Sequence, residues 1–363
     1  MRLMFVYWQP EAAGSAQDIY NYTHVAKTLG HEVVLYAPDN ESSRFNCSLD
    51  VDSADAMIFV LEWNLYSHPG ESKDKGQVLR DGLMGIGHLN IVRLMSRIPR
   101  ERRVIIDCDG MYNDAIHVGG DFNHPDPQTS RQRIELCDSV SDKIFQPTLE
   151  PLRPNVRPFL FHAYDPAWER PLDFRNKEYG MVYVGNNWFR WHALKQVLQG
   201  LEPIRHQIGR VALVGHDWNA MPWWVESPLR EQAYYTDPAY LRNLDVEIMQ
   251  AVPVEQVIPM MSRGIFNPVL IRPLFDHLRL VTCRTFETPA ANTIPLFAQH
   301  EDYVAAIYGD RAVELVLSEP NRIADVFHRP EHYAEIVMDV RRHLAEKHSY
   351  AARLRELIEI VRN

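Results

Sequence analysis

Arg284 and Glu287 stand three residues apart in the stretch "RLVTCRTFETPAANTIPLF", residues 279 to 297. A guanidinium can pair with a phosphate as a two-pronged donor, and a carboxylate can accept from two adjacent hydroxyls such as a ribose diol. The stretch reads as a buried apolar strand or turn, a short helix with Pro289 in its first turn, and a second apolar strand. Glu287 reads equally as an acid complementing the dipole of a first helical turn. A second candidate is "MVYVGNNWFRWHALKQ", where a strand ends at Gly185, the chain turns through Asn186 and Asn187, and a helix opens near Arg190. Glycine permits close backbone approach, a helix start offers unpaired N–H groups and Arg190 adds a cation, which together make a diphosphate seat. Gly and Asn are also ordinary turn residues.

Acid–base candidates follow another strand. "VIIDCDGMYNDAIHVGGDFNH" carries Asp107 and Asp109, then Tyr112, Asn113, Asp114, His117, Asp121 and His124. Asp109, Asp107 and His117 are candidate proton-transfer groups and Tyr112 a candidate acceptor contact; Asp, Asn and Gly are at the same time the commonest turn formers. The first strand exits through "YWQPEAAGSAQDIY", placing Tyr7 and Gln9 where a substrate would rest, with Gly14 allowing close approach. The insert "GHDWNAMPWWVESPLREQAYYTDPAY" offers Trp218, Trp223, Trp224, Tyr234 and Tyr235 to a sugar ring, a base or a protein partner.

These groups need a frame, and the apolar runs supply one. "RLMFVYW", a helical pattern from Ala16 to Leu29 stopped by Gly30, and "EVVLYA" make a β-α-β unit, which implies a parallel sheet. The alternation continues through "AMIFVLEW", a helical region from about Leu83 to Arg97, "RVIIDCDG", a helix around Arg131 to Cys137, and "DKIFQP". Six prolines between Pro147 and Pro171 break regular structure and mark a crossing between domains. A second series then runs through "YGMVYVGN", a helix from about Arg190 to Gln199, "RVALVGHDW", "DVEIM", "VEQVIPMMSRG" and "IFNPVL". Residues 330 to 361 are helical by spacing, long enough to break and return to the first domain.

Composition narrows the chemistry. A chain of 363 residues favours two α/β domains over one core. The net charge of -10 argues against a general nucleic-acid or acidic-membrane surface, so an anion must be met by a few placed arginines. Four widely spaced cysteines with no C-x-x-C pair give neither a zinc site nor a disulfide framework. The N-terminal apolar run is too short for a secretion signal and no run reaches a membrane span, so a cytoplasmic protein without an integral membrane segment is expected. Sixteen histidines form no H-E-x-x-H and no tight ligand-spaced cluster apart from the His117 to His124 region, so no metal is expected, and the absence of a Walker A motif and of G-x-G-x-x-G after the first strand counts against a P-loop or an ordinary dinucleotide domain.

Two Rossmann-like halves, the proline-rich crossing, the turn from Gly180 to Arg190 and "RTFETPAANTIPLF" together resemble the GT-B glycosyltransferases. The closer likeness is to the CgeB-like (spore maturation protein) enzymes, the looser to glycosyltransferase family four. The resemblance implies an α/β GT-B fold, two Rossmann-like domains facing a cleft, with a C-terminal helix crossing back to the first. It assigns residues 1–170 to an acceptor domain, 171–340 to a nucleotide-sugar donor domain and 341–363 to the returning helix. It implies metal-independent, hexosyltransferase-type transfer from a nucleotide diphosphate sugar to a hydroxyl of a small molecule or glycan, with no cofactor. Glu287 then matches the glutamate on the donor ribose, Arg284 and Thr285 lie in the R-x-F-E pattern beside the diphosphate, and Gly185, Asn186 and Arg190 form the first donor-domain turn. Ala291 and Asn292 stand where a glycine is usual, and the position eight before Glu287 is Arg279 rather than a second glutamate, so retaining and inverting mechanisms both stay open. The T-I-P-L-F segment also resembles phage DNA glucosyltransferases, but the net charge argues against a duplex acceptor and no nucleic-acid partner is expected. A GT-B sugar-nucleotide epimerase and a non-catalytic GT-B-like binding protein are the competing readings.

Overall fold

The computed structural model describes residues 1–7, 14–38, 44–62, 97–219, 236–317 and 321–363. The expected helix from Leu83, Gln9, and Trp223, Trp224, Tyr234 and Tyr235 lie outside the described residues.

Apolar strand-length runs at the start of the chain build a parallel sheet, because each is buried on both faces and must be covered by crossover helices. Strands β1 (Arg2–Val6), β2 (Glu32–Leu35), β3 (Ala56–Leu61), β4 (Arg103–Asp107), β7 (Lys143–Gln146) and β8 (Val156–Pro158) pair in the order β2-β1-β3-β4-β7-β8, all parallel. Helices α1 (Ser15–Thr28) and α2 (Pro127–Val140) belong to this half, and Asp126 starts α2 by accepting from the Thr129 amide at 2.8 Å. Between β4 and α2 the short antiparallel pair β5 (His117–Val118) and β6 (Asp121–Phe122) forms a hairpin.

The second sheet, β11-β10-β9-β12-β13, is likewise parallel: β9 (Tyr179–Val184), β10 (Val211–Val214), β11 (Val246–Met249), β12 (Gly264–Val269) and β13 (Ile294–Phe297). Its helices include α3 (Trp191–Leu201), α4 (Val254–Met261), α5 (Pro273–His277), α6 (Cys283–Ala290) and α7 (Pro330–Lys347). The strand order reverses between β1 and β3 in the first sheet and between β9 and β12 in the second, and in open parallel sheets ligands collect outside the strand ends at such reversals.

The chain crosses twice between the halves. The outgoing segment passes through Tyr164, and the returning one breaks after α7 at His348 and Ser349 before α8 (Tyr350–Arg362). The two crossings pair: the Tyr164 amide donates to the His348 carbonyl at 2.9 Å and the Tyr350 amide to the Tyr164 carbonyl at 3.3 Å. Leu354, Leu357, Ile358 and Val361 of α8 join the core formed by Leu3, Phe5, Ile19 and Tyr22, so the last helix packs back on the first half. A buried ion pair adds a third tie. Asp121 of the hairpin accepts from Arg272 Nε at 2.8 Å and from the Leu274 amide at 3.0 Å.

One local expectation is corrected. Pro289 sits in the last turn of α6, not its first, because Thr282 starts the helix through a capping box with Thr285. The carbonyls of Pro289, Ala290 and Ala291, left open as the helix ends, accept from the buried guanidinium of Arg341 on α7 at 2.7, 3.2 and 2.8 Å.

Candidate functional site

Each sheet reversal, between β1 and β3 in the first half and between β9 and β12 in the second, forms one wall of the candidate site. On the second-half wall, Arg284 lies in the first turn of α6 and Glu287 one turn later; their side chains form an ion pair, and Arg284 Nε also donates to the Val184 carbonyl at 3.0 Å, at the end of β9. That bond ties α6 to the strand from which the Gly185 turn departs. Arg284 retains 27% side-chain exposure against 8% for Glu287, so the cation is the more open of the two and the carboxylate the more enclosed. Arg190, the N-cap of α3, donates to the Trp188 carbonyl at 3.1 Å. Burial raises the Tyr183 hydroxyl above its ordinary range, and Arg190 and Arg284 both oppose that shift. Arg284 and Glu287 thus stand at the exit of β9, and Arg190 caps the helix that follows that strand.

Other donor-side residues have local work. The side chain of Asn186 accepts from the His216 amide at 2.9 Å, and Asn187 is buried, donating to the Asp217 carbonyl at 3.1 Å. A Cβ on Gly185 would come within 2.7 Å of the Tyr183 hydroxyl, so packing alone requires glycine there. Its carbonyl accepts from the Trp218 indole at 2.8 Å, which makes Trp218 a core residue rather than an open platform. Thr285 is buried and its hydroxyl accepts from the Thr282 amide at 3.2 Å, completing the cap.

The first-half wall differs from its sequence reading. Asp107 is fully buried and accepts from the Met111 and Tyr112 amides at 2.9 and 2.8 Å and from Gln146 Nε2 at 2.8 Å. Burial lifts its carboxyl to about 6 despite those donors, but it organises the turn after β4 and faces no cleft. Tyr112 is buried too, hydrogen-bonded to Asp138 and to Asn155 at 2.7 Å. His117 is exposed on the hairpin, stacked on Phe122 with ring centroids 5.3 Å apart. His124 is buried against the Met111 carbonyl at 2.7 Å. Only Asp109 of this cluster is half-exposed beside the sheet reversal.

The group that sequence reasoning missed is Glu62, one residue past β3. Its carboxylate accepts from the Tyr7 hydroxyl, the Ser15 hydroxyl and, at 3.3 Å, the Ser15 amide. Gly14, at φ 75°, turns the chain into α1 directly over it. Tyr7 and Gly14, read from the sequence as acceptor contacts, stand at the reversal and hold a carboxylate. Burial, then the neighbouring Asp109, push Glu62 up to about 7, although Ser15, Tyr7 and His162 favour its ionised form.

His162, on the outgoing crossing, is buried. Its Nδ1 is 2.7 Å from Asp18, whose other oxygen accepts from Tyr350 at 2.6 Å at the start of α8. Burial disfavours the imidazolium, but Asp18, then Glu62 and Glu287, raise it above the ordinary histidine value. Among the described residues no three His, Cys, Asp or Glu side chains are grouped to hold a metal. A cavity of about 650 Å³ lies elsewhere, between α3 and the exit of β13, and includes none of these groups.

No protein-family model matches the chain, and no curated protein is similar to it in sequence. Solved structures are similar to it in fold. The DNA-modifying enzyme β-glucosyltransferase, solved in the presence and absence of uridine diphosphoglucose, aligns with TM-score 0.54 at 12% identity over 99% of both chains. Phage T4 BGT in complex with UDP and Mn2+ aligns at 0.57 and 12% over 99% of both. An α-glucosyltransferase with UDP and a 13-mer DNA aligns at 0.60 and 14%, covering 100% of this chain and 99% of its own. The fold is therefore GT-B, as the sequence motifs imply.

The exclusion of nucleic acid drawn from the net charge is corrected by the same comparison, since several structures of this fold hold DNA. A whole-chain charge of -10 sums over every surface, whereas a phosphate backbone meets only the groups on the face it touches.

Proposed function

We propose that this chain is a glycosyltransferase that moves a hexose from a UDP-sugar to a hydroxyl acceptor without a metal. The observation that carries the reading is the Arg284–Glu287 pair in the first two turns of α6, tied to the end of β9, with Arg190 capping the helix that follows that strand. The diphosphate would take the exposed face of Arg284 together with Arg190 and the start of α3, and Glu287 would accept from the ribose diol. As the sugar departs, negative charge grows on the diphosphate, and fixed cations that need no rearrangement stabilise that state more than the ground state. This is the charge that a metal supplies in other transferases, which supports metal independence.

The acceptor separates the narrower kinships. A CgeB-like or family-four enzyme would take a small-molecule or glycan hydroxyl, a DNA glucosyltransferase a hydroxyl on a base. The neighbours solved with DNA, one of them with an HMU base, favour the second. The test is transfer of label from UDP-[14C]glucose, in EDTA, to HMU-containing duplex DNA and to a panel of glycans. Label in DNA or glycan supports the reading and names the acceptor, and a requirement for Mn2+ would remove metal independence. Conversion to another UDP-sugar with no acceptor present points to an epimerase, and UDP binding without turnover to a non-catalytic protein.

A further inference from the structure

Glu62 stands at the first-sheet reversal with its carboxylate almost, but not wholly, occupied. Oε1 accepts from the Ser15 amide and hydroxyl, and Oε2 from the Tyr7 hydroxyl. A carboxylate offers about four lone-pair positions. Among the described residues three donors leave one, on Oε2. Tyr7 and Ser15 are themselves buried, at the end of β1 and the start of α1, so the remaining position is fixed in direction. Glu62 as a whole is half-buried at the reversal.

Burial raises the Cys283 thiol in the first turn of α6, and the carboxylates of Glu287, Asp18 and Glu62 add to the shift, so the start of α6 and Glu62 act on one another electrostatically. Asp109, the acid singled out from the sequence, adds like charge to Glu62. A carboxyl poised near neutrality can both take and release a proton at working pH.

We infer that Glu62, rather than Asp109, is the catalytic base, its open Oε2 position taking the acceptor's hydroxyl proton. This inference rests on the glycosyl-transfer reading above. The hydroxyl oxygen forms its bond to the anomeric carbon as the bond from that carbon to the diphosphate oxygen breaks. The electron pair of the broken bond leaves with UDP, the proton passes to Oε2, and Glu62 later gives it to water. A single displacement inverts the anomeric configuration. Asp109 acts by keeping the Glu62 proton affinity high.

The test compares wild type, Glu62→Gln, Glu62→Asp and Asp109→Asn for UDP affinity by calorimetry and for UDP release from UDP-glucose, by hydrolysis or transfer, between pH 5.5 and 9. Glu62→Gln is expected to bind UDP like wild type, which also reports that it is folded, while kcat falls by about 10³-fold and the pH limb near neutrality disappears. Glu62→Asp should recover part of that loss. Asp109→Asn should keep kcat within about tenfold and move the limb to lower pH, because a like charge has gone. Glu62→Gln turning over within tenfold of wild type, a thousandfold loss confined to Asp109→Asn, or product of retained configuration would each overturn the inference. Wild-type protein that fails to bind UDP would instead count against the donor reading, a separate observable.

Discussion

The second-half wall of the cleft takes Arg284 and Glu287 from one eight-residue helix, whereas the first-half wall assembles Glu62 and its donors from the exits of β1 and β3 and the start of α1. The second-half wall is a cation paired with a more enclosed carboxylate. The opposite wall is a carboxylate with hydroxyls behind it. Binding a diphosphate needs fixed positive charge, which a capped helix start can hold alone. Moving a proton needs a carboxyl kept out of water and beside like charge, which no single segment can arrange.

Breaking what joins the walls should have the largest effect. Asp121→Ala leaves the buried Arg272 guanidinium without its carboxylate and is expected to cost about 3 kcal/mol, read as a lowered midpoint in urea. Arg284→Ala should weaken UDP about 100-fold, since it removes a charged donor and strands the Glu287 carboxylate behind it, whereas the same assay on Tyr7→Phe should show no change in affinity. Glu287→Gln keeps the shape and part of the hydrogen bonding, so a loss of about tenfold in UDP affinity is expected. The smallest effect sharpens the contrast. Tyr7→Phe removes a donor that favours ionised Glu62, so the activity limb near pH 7 should move upward with little change in its plateau.

The same carboxyl links activity to stability with opposite signs. Glu62 is raised in the folded protein, so its contribution to stability is present below the ordinary carboxylate range and lost as pH rises through about 7. Turnover that needs ionised Glu62 rises over the same interval. Melting temperatures of wild type and Glu62→Gln should therefore converge at low pH and diverge above neutrality, with the variant the more stable.

The order of β and α segments was legible because each strand is a run of apolar residues with a helical pattern between, and the R-x-F-E spacing puts Arg284 and Glu287 one turn apart in any helix. Glu62 was not legible. Its donors lie 55 and 47 residues away in the chain, and only the strand order shows that all three meet at the reversal. A lone acid ending the apolar run "AMIFVLEW" was the available signal. Asp107, Tyr112 and Thr285 misled for the opposite reason, since the residue types that suit a site also suit turns and caps, and here those local partners hold them. The hairpin around Asp121 was hidden because two-residue strands leave no periodicity to read.

Arg284 and Glu287 are the pair on which the proposed glycosyl transfer by this chain depends. Calorimetric titration of UDP in EDTA into wild type, Arg284→Ala and Glu287→Ala tests it most directly. Micromolar binding to the wild type, weakened in both variants, is the predicted result; no binding to the wild type, or equal binding to all three proteins, would contradict it.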